Sequence, residues 1–169
     1  MNNIAIFASG SGTNAEKIID HFEFSDIARV ALVVTDNADA YALVRAENHG
    51  IESVVIPRAA WLDGAAPVGL MKDKGIDFIV LAGFLSLVPA ELVRNYEGRL
   101  VNIHPALLPA YGGSGMYGHR VPSAVIADGE SESGLTPLVV NAHSDNGALT
   151  AQDPRSATAA CCPATRPRH

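Results

Sequence analysis

Residues 100–118 read LVNIHPALLPAYGGSGMYG, and the rest of the sequence is organised around this stretch. Leu100 and Val101 begin a short apolar strand, which leads to a segment where prolines and glycines exclude regular structure. Alternate side chains of an extended chain share a face, so Asn102 and His104 point the same way. An amide donor and an imidazole at the end of a buried strand are the parts of an oxyanion-stabilising site. The alternative is that loop backbone groups satisfy both side chains and that neither takes part in chemistry.

Four further apolar runs precede residues 100–104, and helical segments separate them along the chain. The predicted strands are Asn3–Ser9, Arg29–Thr35, Ser53–Ile56, Asp77–Ala82 and Leu100–His104. The predicted helices between them are Ala15–Phe22, Ala40–His49, Ala65–Lys74 and Pro89–Tyr96, and Pro57–Gly64 is predicted to be irregular. Continuously apolar strands that alternate with helices indicate a parallel sheet covered on both faces. The predicted fold class is therefore α/β, a mostly parallel sheet with helices on both faces.

The sequence beyond the proline- and glycine-rich loop predicts one more helix and one more strand. Ser123–Asp128 is predicted to be helical, and Thr136–Asn141 is predicted to be a strand in which Pro137 indicates an edge or a defect. From Asp153 to His169 the chain carries small residues, three prolines and three arginines without apolar periodicity. We therefore expect one domain at residues 1–152, followed by a disordered tail at residues 153–169.

Size and composition limit the class of protein. The chain has 169 residues, of which 48% are hydrophobic, and this is enough for one globular domain with a substantial core. A formal net charge of −6 and an isoelectric point of about 5.4 argue against a broad nucleic-acid surface. The apolar runs are shorter than a membrane span and Met1–Asn3 lacks a basic leader, so we expect a cytoplasmic protein. Cys161 and Cys162 are adjacent, and neither they nor the histidines have the spacing of a metal site.

A glycine-rich turn, Ser9–Asn14 (SGSGTN), lies between the first predicted strand and the first predicted helix. Glycines let the backbone approach an anion, and the amides and the macrodipole at a helix start favour negative charge. Thr13 or Asn14 can cap the helix and donate a hydrogen bond to a phosphate. The third glycine of the dinucleotide fingerprint and the lysine of a P-loop are lacking. The position after the first strand favours phosphate binding, and the alternative is a plain tight turn.

Two further segments follow predicted strands. Gly83–Pro89 (GFLSLVP) can pack under the next helix or form the wall of a pocket for a flat aromatic ligand, and the residues alone leave both open. Asp145, in HSDNG, follows the last predicted strand at a position typical of a turn. It gains a functional role only beside His104, where a carboxylate favours the charged imidazole. Ligands of parallel sheets bind outside the carboxyl ends of the strands, where the loops after Ser9, Ala82 and His104 begin.

The motifs SGSGTN, VLAGFL…VP and NIHPALLPAYGGSGMYG together resemble the phosphoribosylglycinamide (glycinamide ribonucleotide) formyltransferases, which are folate-dependent enzymes. The resemblance extends from about Asn3 to Gln152. The NIHP-x-LLP core is shared with other folate-dependent formyltransferases, including the methionyl-tRNA enzyme. The resemblance implies a Rossmann-like formyltransferase fold at residues 1–152, with C-terminal elements missing.

The resemblance also implies roles for the residues that match the family motifs. The implied catalytic residues are Asn102, His104 and Asp145. The implied residues for the ribonucleotide phosphate are Gly12, Thr13 and Asn14. The implied folate site consists of Leu85, Ser86, Leu87, Val88, Asn102, Asn141 and Asp145. Arg58 is a candidate for the arginine that the family often uses on the folate side.

The implied reaction is formyl transfer from 10-formyltetrahydrofolate, the cosubstrate, to the primary amine of glycinamide ribonucleotide in de novo purine (IMP) biosynthesis. The amine attacks the formyl carbon, Asn102 donates to the oxyanion, and His104, kept protonated by Asp145, acts as a general acid. No metal is implied. The expected partners are the ribonucleotide and the reduced folate, with no nucleic acid and no membrane, in a monomer or homodimer.

The match to the family weakens after Gly118. Arg120, Pro122 and Leu138 stand where relatives with this loop usually carry histidines, and no match is expected after Gln152. A catalytically impaired homologue that still binds the ribonucleotide is therefore one alternative. A formyltransferase that acts on another amine, such as methionyl-tRNA, is a second alternative.

Overall fold

The computed structural model describes residues 1–62, 64–111, 120–140 and 152–156, which belong to two compact units. The first unit consists of Met1–Asn102 and Val139–Gly147, and the second consists of Ile103–Leu138 and Ala148–His169. The strands are β1 (Asn2–Phe7), β2 (Ala28–Thr35), β3 (Glu52–Val55), β4 (Phe78–Leu81), β5 (Leu100–His104), β6 (Glu132–Val139) and β7 (Asp153–Ser156). The helices are α1 (Thr13–Phe22), α2 (Tyr41–Asn48), α3 (Arg58–Trp61), α4 (Ala65–Asp73), α5 (Ala90–Asn95) and α6 (Arg120–Ala127).

The five strands and four helices predicted up to residue 104 are confirmed, with ends that differ by at most two residues. Helix α2, for example, ends two residues before Gly50, whose φ of 65° reverses the chain. The Gly50 and Ile51 amides then donate to the carbonyl oxygens of Glu47 and Ala46, which is the usual way to end a helix at glycine. No helix among the described residues is both long and apolar enough to cross a membrane.

The first unit contains a parallel sheet with the strand order β3-β2-β1-β4-β5. Strand β1 is in the middle, and its residues Ala5, Ile6 and Phe7 have no exposed surface. Alternate residues of β1 enter two different apolar clusters. Ala5 and Phe7 pack with residues of α3, α4 and α5, whereas Ile4 and Ile6 pack with residues of α1 and α2. The predicted α/β class, with helices on both faces of a parallel sheet, is confirmed.

Helix α3 lies inside Pro57–Gly64, so the prediction of an irregular segment is wrong for these four residues. Trp61 is 2% exposed, and its Nε1 donates to the Ile56 carbonyl oxygen at 2.8 Å. Its ring lies 5.4 Å from the ring of Phe7 and 4.8 Å from that of Phe84, measured between centroids. Burial of this large ring against distant residues stabilises the short helix, and local sequence patterns do not contain such contacts.

The second unit contains α6, β6 and β7. Helix α6 buries Val121 and Val125 with Ala106 in a small apolar cluster. It begins three residues before the predicted start at Ser123, and β6 begins four residues before the predicted start at Thr136. In both cases the predicted element exists and its start was placed too late.

Strand β7 corrects the prediction for the end of the chain. Asp153–Ser156 pairs antiparallel with β6 over Glu132–Leu135, so the prediction of disorder is wrong for these four residues. Backbone pairing supplies their order, and this does not require an apolar pattern in the sequence. Pro137 lies in β6 beyond the residues that pair with β7. The domain boundary at residue 152 stays a prediction.

We expect Phe7→Ala to lower the free energy of unfolding by about 3–5 kcal/mol, because the ring is fully buried between Trp61 and Phe84. Urea denaturation followed by circular dichroism measures the change. Phe24→Ala is the matched control, since Phe24 is 92% exposed and its loss should change the same quantity by less than about 0.5 kcal/mol. Equal losses in the two variants would contradict this assignment of the core.

Candidate active site

The loops after β1, β2 and β4 begin at the same edge of the sheet. Phe7 stands opposite Val34 of β2 and Leu81 of β4 in the parallel register. The Ala8 amide donates to the Val34 carbonyl oxygen at 3.0 Å, and the Ala82 amide donates to the Phe7 carbonyl oxygen at 2.8 Å. The three strands therefore end level with one another, and their following loops are neighbours.

The first of these loops leads into α1 through Gly12. Gly12 is the N-cap residue, with φ 68° and ψ 21°, and no side-chain hydrogen bond caps the helix. The predicted cap by Thr13 or Asn14 is therefore wrong, since α1 already includes both residues. The helix start keeps its N–H groups clear of a capping side chain, as an anion site at this position requires. Thr13 is exposed and Asn14 is half-buried.

Helix α2 supports the same loop from the side. The Ala42 amide donates to the Gly10 carbonyl oxygen at 3.1 Å, and Arg45 Nε donates to the Ser11 carbonyl oxygen at 2.7 Å. Arg45 also forms an ion pair with Glu16 of α1. A Cβ atom at Gly12 would lie 2.7 Å from Ala42 Cα. Only glycine fits at this point, both because of its φ angle and because α2 is so close.

The loop after β4 presents apolar side chains in an alternating pattern. Leu85 and Leu87 are 47% and 89% exposed, whereas Phe84 and Val88 pack against the apolar cluster around Phe7. The Leu85 amide donates to Ser9 Oγ at 2.9 Å, and the Ser9 amide donates to the Gly83 carbonyl oxygen at 3.1 Å. Part of the segment therefore packs against the core, and part is exposed. The role of the exposed part as the wall of a ligand pocket stays a prediction.

Asp36, the first residue after β2, lies at this edge and was not among the residues predicted for the site. Its side chain is 3% exposed. Oδ2 accepts hydrogen bonds from Ser86 Oγ at 2.5 Å and from Arg58 Nε at 3.3 Å. Burial raises the pKa of Asp36, but hydrogen bonds from Ser86, Ser9 and Arg58 outweigh burial, so the pKa lies below its ordinary value of 3.8. Asp36 is therefore ionised at neutral pH.

Strand β5 carries both predicted catalytic residues that the structure describes. Asn102 stands opposite Leu81 in the register of β4 and β5, and His104 is the last residue of β5. His104 Nε2 lies 2.9 Å from the Tyr111 carbonyl oxygen. Because a carbonyl oxygen only accepts, Nε2 carries a hydrogen in this contact. This partner of His104 was not predicted from the sequence.

The segment after His104 is held by Thr136 of β6. Thr136 Oγ1 donates to the Ala106 carbonyl oxygen at 2.6 Å and accepts from the Leu108 amide at 3.2 Å. The Thr136 side chain is buried, which protects both hydrogen bonds from water. Asn141 and Asp145 lie outside the described residues, so their roles stay predictions.

The residues that sequence reasoning missed share one feature. Asp36 and Arg45 act through hydrogen bonds to other loops rather than through a recognisable motif. One signal could have identified Asp36, because a polar residue directly after a buried parallel strand lies at the ligand-binding edge. No group of three or more His, Cys, Asp or Glu side chains in the described ranges is arranged to hold a metal ion.

The structure combines a parallel sheet covered by helices on both faces, a glycine turn after β1 and an Asn-x-His sequence at the end of β5. This combination is typical of one family of proteins. The formyl transferase family matches residues 2–160, and the chain belongs to that family. The match to the family model ends eight residues after Gln152. Phosphoribosylglycinamide formyltransferase of Arabidopsis thaliana, a chloroplastic protein, is 41% identical over 155 residues. The Haemophilus influenzae protein of the same name is 36% identical over 157 residues.

Solved structures agree with this assignment. Glycinamide ribonucleotide transformylase 1 from Symbiobacterium toebii has a TM-score of 0.82 and 33% identity, over 92% of this chain and 74% of that chain. Phosphoribosylglycinamide formyltransferase from Bacillus halodurans has a TM-score of 0.80 and 37% identity, over 92% and 80% of the two chains. The alignment with the Arabidopsis protein covers 88% of this chain and 53% of that protein. The alignment with the Haemophilus protein covers 90% of this chain and 72% of that protein. The chain thus spans about half the length of the Arabidopsis protein.

We expect Gly12→Ala to lower the free energy of unfolding by about 1–3 kcal/mol, the usual cost of a left-handed backbone at a non-glycine residue. The contact of a new Cβ atom with Ala42 adds to this cost. Gly10→Ala is the matched control, because no atom lies within 4 Å of a Cβ atom placed there. Urea denaturation of both variants measures the difference. A Gly12→Ala variant as stable as Gly10→Ala would contradict the proposed close packing of α2 on the loop.

We also expect the stabilising effect of the Asp36 carboxylate to depend on pH. A carboxyl group whose pKa is lower in the folded state stabilises the protein fully above its unfolded pKa of about 3.9 and loses this effect as pH falls through the folded pKa. The folded pKa lies below 3.8. The difference in unfolding free energy between the natural chain and Asp36→Asn should therefore shrink below pH 3.8. Urea denaturation at a series of pH values tests this, and a difference that grows on acidification would contradict it.

Proposed function

We propose that this chain catalyses formyl transfer from 10-formyltetrahydrofolate to the primary amine of glycinamide ribonucleotide, a step of de novo purine biosynthesis. The names of the Arabidopsis and Haemophilus relatives support the ribonucleotide as the acceptor of a formyl group. The observation that carries the proposal is the end of β5, where Asn102 and His104 are two residues apart on one strand. Alternate residues of a strand share a face, so the amide and the imidazole can act on the same atom.

The proposed reaction needs stabilisation of negative charge more than it needs a nucleophilic residue. The neutral amine of the ribonucleotide attacks the formyl carbon and forms a tetrahedral oxyanion. Asn102 donates a hydrogen bond to that oxygen, and His104 in its charged form stabilises it. His104 then supplies the proton that tetrahydrofolate needs when it leaves, and the excess proton of the attacking nitrogen restores the imidazolium.

The phosphate of the ribonucleotide is proposed to bind at Gly12, Thr13 and Asn14. The start of α1 supplies N–H groups and the positive end of the helix dipole. The absence of a capping side chain at Gly12 supports this role. Arg45 supports it indirectly, since its bond to the Ser11 carbonyl oxygen fixes the loop backbone.

The folate is proposed to contact Leu85, Ser86, Leu87 and Val88, together with Asn102, Asn141 and Asp145. The exposed Leu85 and Leu87 side chains give an apolar wall for a flat ring system. Arg58 is 71% exposed at its side chain and is held through Nε. It is the candidate among the described residues for contacting a carboxylate of the folate.

The charge of His104 is proposed to depend on Asp145. The imidazolium has N–H groups on both ring nitrogens, so one can remain on the Tyr111 carbonyl oxygen while the other takes part in chemistry. Leu138, which replaces a histidine usual in the family, is 3% exposed and packs as an apolar residue. This replacement keeps a catalytically impaired homologue as the alternative to be tested.

The test is an assay of the purified chain with 10-formyltetrahydrofolate and glycinamide ribonucleotide, followed by folate absorbance and by mass spectrometry of the formylated product. We expect turnover, and we expect Asn102→Ala and His104→Ala to lower kcat on the order of 100- to 1,000-fold. His21→Ala is the control, because His21 is exposed on α1 and should leave kcat unchanged.

Two results would overturn the proposal. If turnover is absent while the ribonucleotide still raises the melting temperature, the chain is an impaired homologue that binds its ligand. If methionyl-tRNA is formylated and glycinamide ribonucleotide is not, the proposed acceptor is wrong. Equal loss of activity in the His21 and His104 variants would contradict the proposed catalytic role of His104 at the end of β5.

A further inference from the structure

We propose that Asp36 is a positioning residue for the folate loop, by which we mean Leu85–Val88. Its carboxylate holds Ser86, and Ser86 in turn keeps the exposed side chains of Leu85 and Leu87 in place for the folate. This inference rests on the proposed folate-binding role of the loop. Asp36 itself needs no contact with either substrate.

The hydrogen bond between Asp36 and Ser86 joins two strands that are not neighbours. Asp36 follows β2 and Ser86 follows β4, and β1 lies between these strands in the sheet. The 2.5 Å contact from Ser86 Oγ to Asp36 Oδ2 therefore passes over the end of β1. Arg58 Nε completes a closed group of three side chains, at 3.3 Å from Asp36 Oδ2 and 3.2 Å from Ser86 Oγ.

A second attachment fixes the residue next to Ser86. The Leu85 amide donates to Ser9 Oγ at 2.9 Å, and Asn37 Nδ2 donates to the Ser9 carbonyl oxygen at 3.3 Å. Two consecutive residues of the folate loop are thus bound to the ends of β1 and β2. With Ser86 held inward, the alternation of the chain directs Leu85 and Leu87 outward, as their exposure shows.

The two oxygens of the Asp36 carboxylate have different surroundings. Oδ1 of Asp36 is buried and has no hydrogen-bond partner within the described part of the chain. An unsatisfied buried polar oxygen destabilises the folded state. Polar groups that carry such a cost are concentrated at functional sites. The carboxylate compensates by accepting from both Ser86 and Arg58 with one oxygen.

The chain contains a natural probe for the position of the folate loop. Trp61 is the only tryptophan in the sequence, and the centroid of its ring lies 4.8 Å from that of Phe84, the residue before Leu85. The bond from Trp61 Nε1 to the Ile56 carbonyl oxygen holds the indole independently of the loop. A loosened folate loop should therefore expose the indole of Trp61 to an added quencher without unfolding the protein.

The experiment compares Asp36→Ala, Ser86→Ala and the double variant with Asp39→Ala, whose aspartate is exposed and follows the same strand. We expect acrylamide quenching of Trp61 fluorescence to rise in the first three variants and to stay at the natural level in Asp39→Ala. We expect KM for 10-formyltetrahydrofolate to rise about tenfold, as loss of a hydrogen bond to a charged group implies. KM for the ribonucleotide and kcat should change less than about threefold, whereas a merely structural role would affect all three parameters.

The double variant tests whether the two residues act as a unit. If Asp36 acts through Ser86, the double variant should be no worse than Ser86→Ala alone. Additive effects on KM would overturn the proposal, and so would equal quenching in Asp36→Ala and Asp39→Ala. Asp36→Asn is the substitute if Asp36→Ala does not fold, because the amide oxygen can still accept from Ser86. We expect its quenching and its folate KM to fall between those of the natural chain and Ser86→Ala.

The design separates failure of this inference from failure of the proposed function. If the natural chain transfers no formyl group, the quenching of Trp61 still decides whether Asp36 holds the folate loop. In that case a rise in quenching supports the positioning role and only the folate assignment is lost. If the natural chain is active and quenching does not respond to Asp36→Ala, the positioning role is wrong and the proposed reaction is unaffected.

Discussion

Burial of β1 on both of its faces is the constraint on which the first unit depends. Ala5, Ile6 and Phe7 have no exposed surface, and their side chains alternate between two apolar clusters. Each cluster needs its own helices, so the chain must cross over the sheet after nearly every strand and return in the parallel direction. The carboxyl ends of the strands then meet at one edge. That edge is where the loops of the candidate site begin.

The loops at this edge are held mainly by one another. Ser9 accepts from the Leu85 amide, Asp36 accepts from Ser86, and Arg45 donates to the Ser11 carbonyl oxygen. Such bonds join residues from different crossovers, so each loop restricts the conformations of the next. A site assembled in this way is preorganised, because binding need not order its walls. The same bonds make the exposed leucines of the folate loop tolerable, since the backbone beneath them is fixed.

Apolar patterning was sufficient for strands β1 to β5 and for helices α1, α2, α4 and α5. It was insufficient where order comes from distant contacts. The apolar runs predicted these five strands. Burial on both faces explains the run in β1, whereas β3 is largely exposed. Helix α3 was missed because its stability comes from the ring of Trp61 packed against Phe7 and Phe84. Strand β7 was missed because backbone pairing with β6 orders it. Neither contact can be predicted from the pattern of residues that are close together in the sequence.

For the site, motifs and apolar runs were enough to predict a glycine turn after β1, an apolar loop after β4, and Asn102 and His104 on β5. These are local properties, since periodicity and motif spacing depend on residues close together in the chain. Two contacts became visible only in the folded protein: the hydrogen bond between Ser86 and Asp36, fifty residues apart, and the contact of His104 Nε2 with the Tyr111 carbonyl oxygen. The first contact depends on where β2 and β4 are placed, which follows from packing of the sheet rather than from any one segment. The second depends on the path of the chain over the seven residues after His104.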